Sequence, residues 1–106
     1  MIEKSYTLDQ IIHDEKQIRN VEELEVGKVY KCMNCSPGYL GGDIGSRGIL
    51  EIVSIGDRTM KVIRTFGDTS FEQEEFLEDF GIIPNVGDDG KQRWNKRNWL
   101  VPVGED

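Results

Sequence analysis

The sequence is poor in the residues that most often carry catalysis and metal binding. It contains one histidine, two cysteines and no recognisable motif around a nucleophilic serine or cysteine. A closed structural zinc site needs four ligands, and a hydrolytic triad needs a base beside its nucleophile. We therefore predict that the protein is not an enzyme and has no cofactor.

The sequence also lacks a long apolar run and a basic leader segment. No stretch reaches the apolar length that spans a bilayer, and Met1 is followed by Ile-Glu-Lys-Ser-Tyr-Thr. Without a secretory signal, the cysteines are expected to be reduced thiols. We expect a cytoplasmic protein with no membrane partner.

The sequence contains enough apolar residues for one small hydrophobic core, and it contains more acidic than basic residues. Its 106 residues are 37% hydrophobic, which predicts one globular domain, 1–106. Twenty acidic and thirteen basic residues give a net charge of −7. A field of that sign repels phosphate backbones unless the positive charge is segregated.

Hydrophobic patterning predicts an α+β fold, with two short helices on a small antiparallel sheet. A two-residue Gly56-Asp57 turn between runs of β-branched residues predicts a hairpin, and Pro102 predicts an edge position for the last strand. A glycine-rich loop is expected over 36–48. The predicted helices are 7–19 and 71–80, and the predicted strands are 28–33, 49–55, 58–66 and 99–103.

The opening of the chain resembles that of SH3-like barrels. The resemblance is carried by the stretch Val-Glu-Glu-Leu-Glu-Val-Gly-Lys-Val-Tyr at 21–30, the long loop after it and the Gly-Asp hairpin. It implies a partly open SH3-like β-barrel, a fold that hosts many functions. The small size, the acidity and the lack of chemical motifs also look like the small accessory proteins of bacteriophages, many of which bind host proteins.

An acidic segment and the glycine-rich loop are the first candidate sites. The carboxylates occupy one side of the second predicted helix, where they meet either a basic partner or only solvent. The loop is either a partner contact or an ordinary connection. Our leading hypothesis is a protein-interaction module, a small acidic modulator or inhibitor of a host protein, that uses Glu72, Glu74, Glu75, Glu78, Asp79, Tyr39, Leu40 and Ile44.

A basic, aromatic segment supports an alternative function. Four cations and two tryptophans lie within 91–99, with no acidic residue between them. Cations pair with phosphates and exposed indoles stack on bases, although a domain this small also needs its tryptophans for the core. The alternative is nucleic-acid binding through Lys91, Arg93, Trp94, Lys96, Arg97 and Trp99.

The remaining candidate is a Cys-x-x-C pair, Cys32 and Cys35. With His13 and a carboxylate or a second subunit, the two thiolates could hold zinc. A redox role needs a helix after the motif, and Pro37 with a glycine-rich loop follows instead. We favour two reduced cysteines at the end of a strand, with zinc-dependent association as a third possibility.

Overall fold

The computed structural model describes residues 12–35 and 44–103, which are mostly β-strand. Five strands form one antiparallel sheet in the order β4-β3-β2-β1-β7, and β5 and β6 form a separate short hairpin. The strands are β1 (Val29–Cys35), β2 (Ile44–Ile55), β3 (Thr59–Phe66), β4 (Thr69–Phe76), β5 (Asn85–Val86), β6 (Gln92–Arg93) and β7 (Asn98–Pro102), and Val21–Glu23 and Leu77–Phe80 are 3₁₀ turns.

The predicted α+β class is wrong, because the described residues contain no α-helix. Most of the second predicted helix, 71–80, is β4, and only Leu77–Phe80 turns helically. The described ranges accordingly hold no helix that is long and apolar enough to cross a membrane. The fold is an antiparallel sheet with short turns rather than a sheet carrying two helices.

Strand β4 forms because a tight turn folds it back onto β3. Gly67 has φ +56°, a conformation that glycine adopts without strain, and with Asp68 it joins the two strands. Every residue of β4 then pairs with β3 in an unbroken register, from Phe66 opposite Thr69 to Thr59 opposite Phe76. The tertiary pairing overrides a local sequence that is also compatible with a helix.

The first predicted helix, 7–19, is also wrong where the structure describes it, over residues 12–19. There the only backbone bond within the segment is one turn, from the Gln17 N–H to the Asp14 carbonyl at 3.0 Å, and the other described bonds go to side chains and to the sheet. The His13 N–H donates to Gln17 Oε1 at 2.8 Å, and the Ile18 N–H donates to the Leu100 carbonyl at 2.8 Å. The bond to Leu100 places this segment along the edge of β7, and its local bonds form turns and not a helix.

Several sequence predictions are confirmed. The hairpin of β2 and β3 forms, β1 carries the buried Tyr30 and Cys32 on one face, and β7 with Pro102 is an edge strand.

The open sheet is consistent with SH3-like architecture, but the described strands do not close a barrel. The predicted loop at 36–48 is wrong for 44–48, which belong to β2, and 36–43 lie outside the described residues.

The core lies on one face of the sheet, here called the inner face. Strand residues alternate between the two faces, and those on the inner face are apolar over most of its area. The Leu77–Phe80 turn, Ile82 and the segment from Ile18 to Leu24 cover this face. The buried cluster comprises Ile18, Leu24, Tyr30, Cys32, Leu50, Ile52, Met60, Val62, Leu77, Phe80, Ile82 and Leu100.

The two edges of the sheet differ in how they are covered. Strand β7 receives the Ile18 N–H on Leu100, and the His13 ring stacks on Trp99. On the far side of β4, by contrast, no strand within 12–35 and 44–103 pairs. The chain itself covers one edge, and no other described strand covers the eight-residue edge of β4.

Candidate functional site

A polar cavity of about 280 Å³ opens where the apolar core ends on the inner face. All five strands of the main sheet and the 3₁₀ turn after β4 contribute to its wall. The lining residues are Cys32, Met33, Arg47, Arg64, Phe66, Gln73, Glu75, Asp79, Phe80 and Asn98.

A buried ion pair forms one wall of the cavity. Arg64 Nη1 donates to Glu75 Oε2 at 2.9 Å, and the two side chains are only 8% and 12% exposed. Gln73 donates to the same carboxylate oxygen, Arg64 Nη2 donates to the Arg47 carbonyl at 2.9 Å, and the guanidinium lies 4.8 Å from the centre of the Phe66 ring. These contacts hold the pair in one geometry, which a buried pair needs to offset its desolvation.

The pair leaves one donor and one acceptor open. Arg64 Nε is buried without a hydrogen-bond partner among the described residues. Both bonds that Glu75 accepts go to Oε2, so no described residue donates to its Oε1. A guanidinium that is satisfied on only part of its surface is a polar group that a ligand or a water molecule could complete.

Asp79 lies at the cavity in a negative field. Burial raises the pKa of its carboxyl above the ordinary value, and the neighbouring Glu78 and Glu75 carboxylates raise it further. No hydrogen bond or ion pair joins the Asp79 carboxylate to another described residue. A carboxylate in this situation favours the arrival of a cation.

Cys32 is a buried thiol in the wall of the cavity. Burial raises its pKa to about 11, with a smaller raising effect from Glu75, and Arg64 and Arg47 act in the opposite direction. The thiol is therefore protonated at neutral pH, whereas metal ligation and nucleophilic attack need the thiolate.

The three metal candidates do not come together. Cys32 and Cys35 are an odd number of residues apart on the extended strand β1, so they lie on opposite faces. His13 stacks on Trp99, and its Nε2 lies 2.7 Å from the Lys96 carbonyl. Within the described ranges, no group of three or more His, Cys, Asp or Glu residues is placed to hold a metal ion.

The predicted acidic surface is split between the two faces of β4 and the turn after it. Glu72 and Glu74 are exposed on the outer face, and Glu74 accepts the Thr59 hydroxyl at 2.9 Å. Glu75 and Asp79 face the cavity, as described above, and Glu78 pairs with Arg58 at 3.1 Å. The single helical face that we predicted for the five acids does not exist.

Aromatic side chains flank the acids along the open edge. Phe71 and Phe76 are exposed, and Phe71 packs against Phe66 with ring centroids 6.0 Å apart.

Of the predicted loop residues, Ile44 is exposed at the start of β2, and Tyr39 and Leu40 lie outside the described residues.

The basic segment keeps one of its two tryptophans near the surface. Trp99 is 1% exposed and stacks on His13, with ring centroids 4.0 Å apart and planes 10° from parallel. Trp94 is half-buried and lines a second cavity of about 430 Å³ with Lys91, Gln92, Arg93 and Lys96. Arg93 pairs with Asp89 at 3.0 Å, and Arg97 is exposed. The pKa of the Asp89 carboxyl is lowered mainly by the hydrogen bond from the Lys91 N–H and then by the hydrogen bond from Arg93.

Of the residues that line the first cavity, the sequence analysis named Cys32, Glu75 and Asp79 in other roles and missed the rest, above all Arg64. A signal for it exists, because Arg64 follows Met60 and Val62 at the core-facing positions of β3. A charged residue continuing the apolar alternation of a strand indicates a buried partner. The partner, Glu75, could not be named without the β3–β4 register.

The chain matches no protein-family model, and comparison with curated proteins and with solved structures finds no similar protein.

Proposed function

We propose that the protein is a non-enzymatic protein-interaction module that binds a basic, extended segment of a partner along the edge of β4. The observation that carries this proposal is the contrast between the two sheet edges. The edge of β7 is covered by the Ile18 segment, whereas no described strand pairs with the eight-residue edge of β4. Exposed strand edges bind extended peptides by adding them as a further strand.

The outward-facing backbone groups of β4 follow from its pairing with β3. The Leu77 N–H donates to the Arg58 carbonyl, and the register then alternates without a shift along β4. In an antiparallel ladder, every second residue directs its N–H and C=O away from its neighbour. The residues whose backbone groups face outward are Ser70, Glu72, Glu74 and Phe76.

Charge selects the partner. Glu72 and Glu74 are exposed on the strand that would be paired, so lysine or arginine on the added strand meets opposite charge across the pair. A second copy of β4 would meet like charge, which disfavours self-pairing. The net charge of −7 also attracts a basic partner at long range.

The biological form of this proposal is a small modulator or inhibitor of a host protein in the cytoplasm, similar in character to bacteriophage accessory proteins. The small size and the acidity of the chain support it. Cys32 and Cys35, which are both free thiols, fit a reducing compartment.

The test uses a labelled peptide of alternating lysine and valine and two substitutions at one position. Glu72→Gln removes only a charge, and Glu72→Pro also removes an outward N–H without breaking the ladder to β3. Fluorescence anisotropy should show weaker binding for Glu72→Gln and a further loss of about tenfold for Glu72→Pro, the scale of one net hydrogen bond. The matched control is Glu51→Gln, on the paired strand β2.

Strand addition would be overturned by equal binding of Glu72→Pro and Glu72→Gln. Equal binding of Glu72→Gln and the unmodified protein would remove the charge selection. Amide hydrogen exchange provides the direct readout, because the N–H groups of Ser70, Glu72, Glu74 and Phe76 should become protected when the peptide binds.

A second candidate function is nucleic-acid binding through the basic segment. The observation in its favour is the 430 Å³ cavity that three cations share with the half-buried Trp94. Because Trp99 is buried, only Trp94 is placed to stack on a base. Anisotropy of labelled single-stranded DNA and RNA across a salt series should give a steep salt dependence that Arg93→Ala with Arg97→Ala reduces. The absence of salt-dependent binding would remove this candidate.

A further inference from the structure

The cavity on the inner face is a separate site from the outer edge of β4. We propose that it binds a small zwitterion, a molecule that carries an ammonium group and a carboxylate, of which free amino acids are the simplest class. The proposal does not depend on strand addition at β4.

The charges in the cavity wall select this class of ligand. Arg64 and Glu75 neutralise each other at 2.9 Å. Two further charged side chains line the cavity, Arg47 and Asp79, and neither forms an ion pair with another described residue. A ligand of a single sign would meet one of them as a like charge. A zwitterion meets both as opposite charges, with its carboxylate toward Arg47 and its ammonium toward Asp79.

Hydrogen-bonding groups of the wall fit the same two ends of the ligand. Glu75 Oε1, which no described residue approaches as a donor, is a second acceptor for the ammonium. The Asn98 side chain, which also lines the cavity, accepts from Asn34 at its Oδ1, so its amide N–H groups are donors for the carboxylate. A buried polar group that lacks a hydrogen-bond partner raises the affinity for a ligand that supplies this partner.

The rest of the wall suits an apolar side chain on the ligand. Phe66 and Phe80 contribute apolar surface beside the charged groups. The volume of about 280 Å³ lies at the small end of the range of ligand pockets. We therefore choose L-leucine as the first probe, and isoamylamine and 4-methylpentanoate as its analogues with one charge each.

In the free protein the ionised form of the Asp79 carboxyl is electrostatically unfavourable, and the ammonium group of the ligand would offset this. Burial and two neighbouring carboxylates disfavour its ionised form, so an ammonium beside it restores favourable electrostatics. Asp79→Asn should therefore leave the free protein folded and at least as stable, while removing the partner of the ammonium. A loss of binding in this variant is then not a loss of folding.

The experiment is an NMR titration of the isotope-labelled protein with L-leucine, followed at the side-chain amides of Gln73 and Asn98. We expect saturable shifts at these amides and weaker or no shifts with either single-charge analogue. Arg47→Gln and Asp79→Asn should each weaken binding by about tenfold or more, the scale of one charge-assisted hydrogen bond. Lys61→Gln on the outer face is the matched charge control and should bind like the unmodified protein.

Two outcomes would overturn the proposal. The first is the absence of saturable shifts with every common L-amino acid at about 10 mM, a concentration that detects affinities weaker than 1 mM. The second is equal binding of isoamylamine or 4-methylpentanoate, because the site would then not need both charges. Neither outcome bears on the proposed peptide site, which the Glu72 variants test at the outer edge of β4, away from the inner face.

Discussion

Arg64 and Glu75 form an ion pair with 2.9 Å between Nη1 and Oε2, on side chains that are 8% and 12% exposed. Along the inner face of β3, the buried apolar residues Met60 and Val62 are followed by Arg64, which pairs with Glu75 of β4. The core of this small domain therefore ends in fixed charges instead of solvent. The same two side chains form a wall of the cavity, so the ligand that we propose would bind beside a pair that belongs to the folded core.

The first prediction concerns this pair. Glu75→Met should lower the free energy of unfolding by about 3–5 kcal/mol, because it leaves the Arg64 guanidinium buried and unpaired. Arg64→Met with Glu75→Met should recover most of the loss, to within about 1 kcal/mol of the unmodified protein. Urea denaturation of the double-mutant cycle measures both values.

The exposed pair of Arg58 and Glu78 provides the control cycle. Its Arg58 side chain is 64% exposed, so its coupling energy should stay below about 1 kcal/mol. A coupling at Arg64 and Glu75 no larger than this would contradict the role that we assign to burial.

The second prediction concerns Gly48, which lies where β2 bulges. Lys31 pairs with Ile49 but Met33 pairs with Ser46, so β2 carries one extra residue there. Gly48 has φ +85°, and a Cβ on it would lie 2.6 Å from the Thr65 carbonyl. Gly48→Ala should destabilise the protein by about 3 kcal/mol or more, from backbone strain and a clash together.

Gly27 separates these two causes. Its φ is +88°, but a Cβ there would meet no atom within 4 Å. Gly27→Ala should cost only the conformational strain, about 1–2 kcal/mol. Equal losses in thermal or urea unfolding of the two variants would show that the contact with Thr65 has no effect.

The third prediction concerns stability at high pH. Burial raises the pKa of Cys32 from 9.0 to about 11. The stabilising contribution of the protonated thiol is fully present below pH 9.0 and is lost as pH rises toward 11, because the unfolded state releases its proton first. The free energy of unfolding should fall by about 2–3 kcal/mol over this range through Cys32 alone.

Lysine and tyrosine residues titrate in the same range, so Cys32→Ala is the reference. The difference in unfolding free energy between the two proteins, measured by urea denaturation at several pH values, isolates the thiol. A constant difference from pH 8 to 11 would contradict the prediction, whose window rests on the raised thiol pKa.

The fourth prediction concerns the cover of β7. His13 stacks on Trp99 at 4.0 Å, and its Nε2 lies 2.7 Å from the Lys96 carbonyl. His13→Ala should lower stability by about 1–2 kcal/mol and increase acrylamide quenching of Trp99. Ile12→Ala, at an exposed neighbouring position, is the control and should change neither quantity. Unchanged quenching in His13→Ala would mean that the ring does not shield Trp99.

The part of the fold that could be predicted is the part in which local signals agree. β-branched runs on both sides of Gly56-Asp57 predicted the β2–β3 hairpin, and the alternation of Tyr30 and Cys32 predicted the buried face of β1. The same dipeptide at Gly67-Asp68 marks the β3–β4 turn, and the acidic residues after it fit both a helix and a strand. Pairing with β3 chose between them.

The candidate sites follow the same division. The acidic and basic segments are visible in the composition, but the faces on which their side chains lie depend on strand register. Glu72 and Glu74 lie outside, and Glu75 lies inside, because adjacent strand residues face opposite ways. Trp99 is in the interior because His13, far away in the sequence, stacks on it.

The sequence by itself determined the size, the acidity, the β2–β3 hairpin and the edge position of Pro102, all of which depend on composition or on neighbouring residues. Only the tertiary structure decided that 69–76 is a strand at the edge of the described sheet and that Arg64 meets Glu75 beside a polar cavity. The physical reason is that antiparallel pairing and burial join residues through the register between strands, and that register is fixed by the packing of the whole sheet against its core.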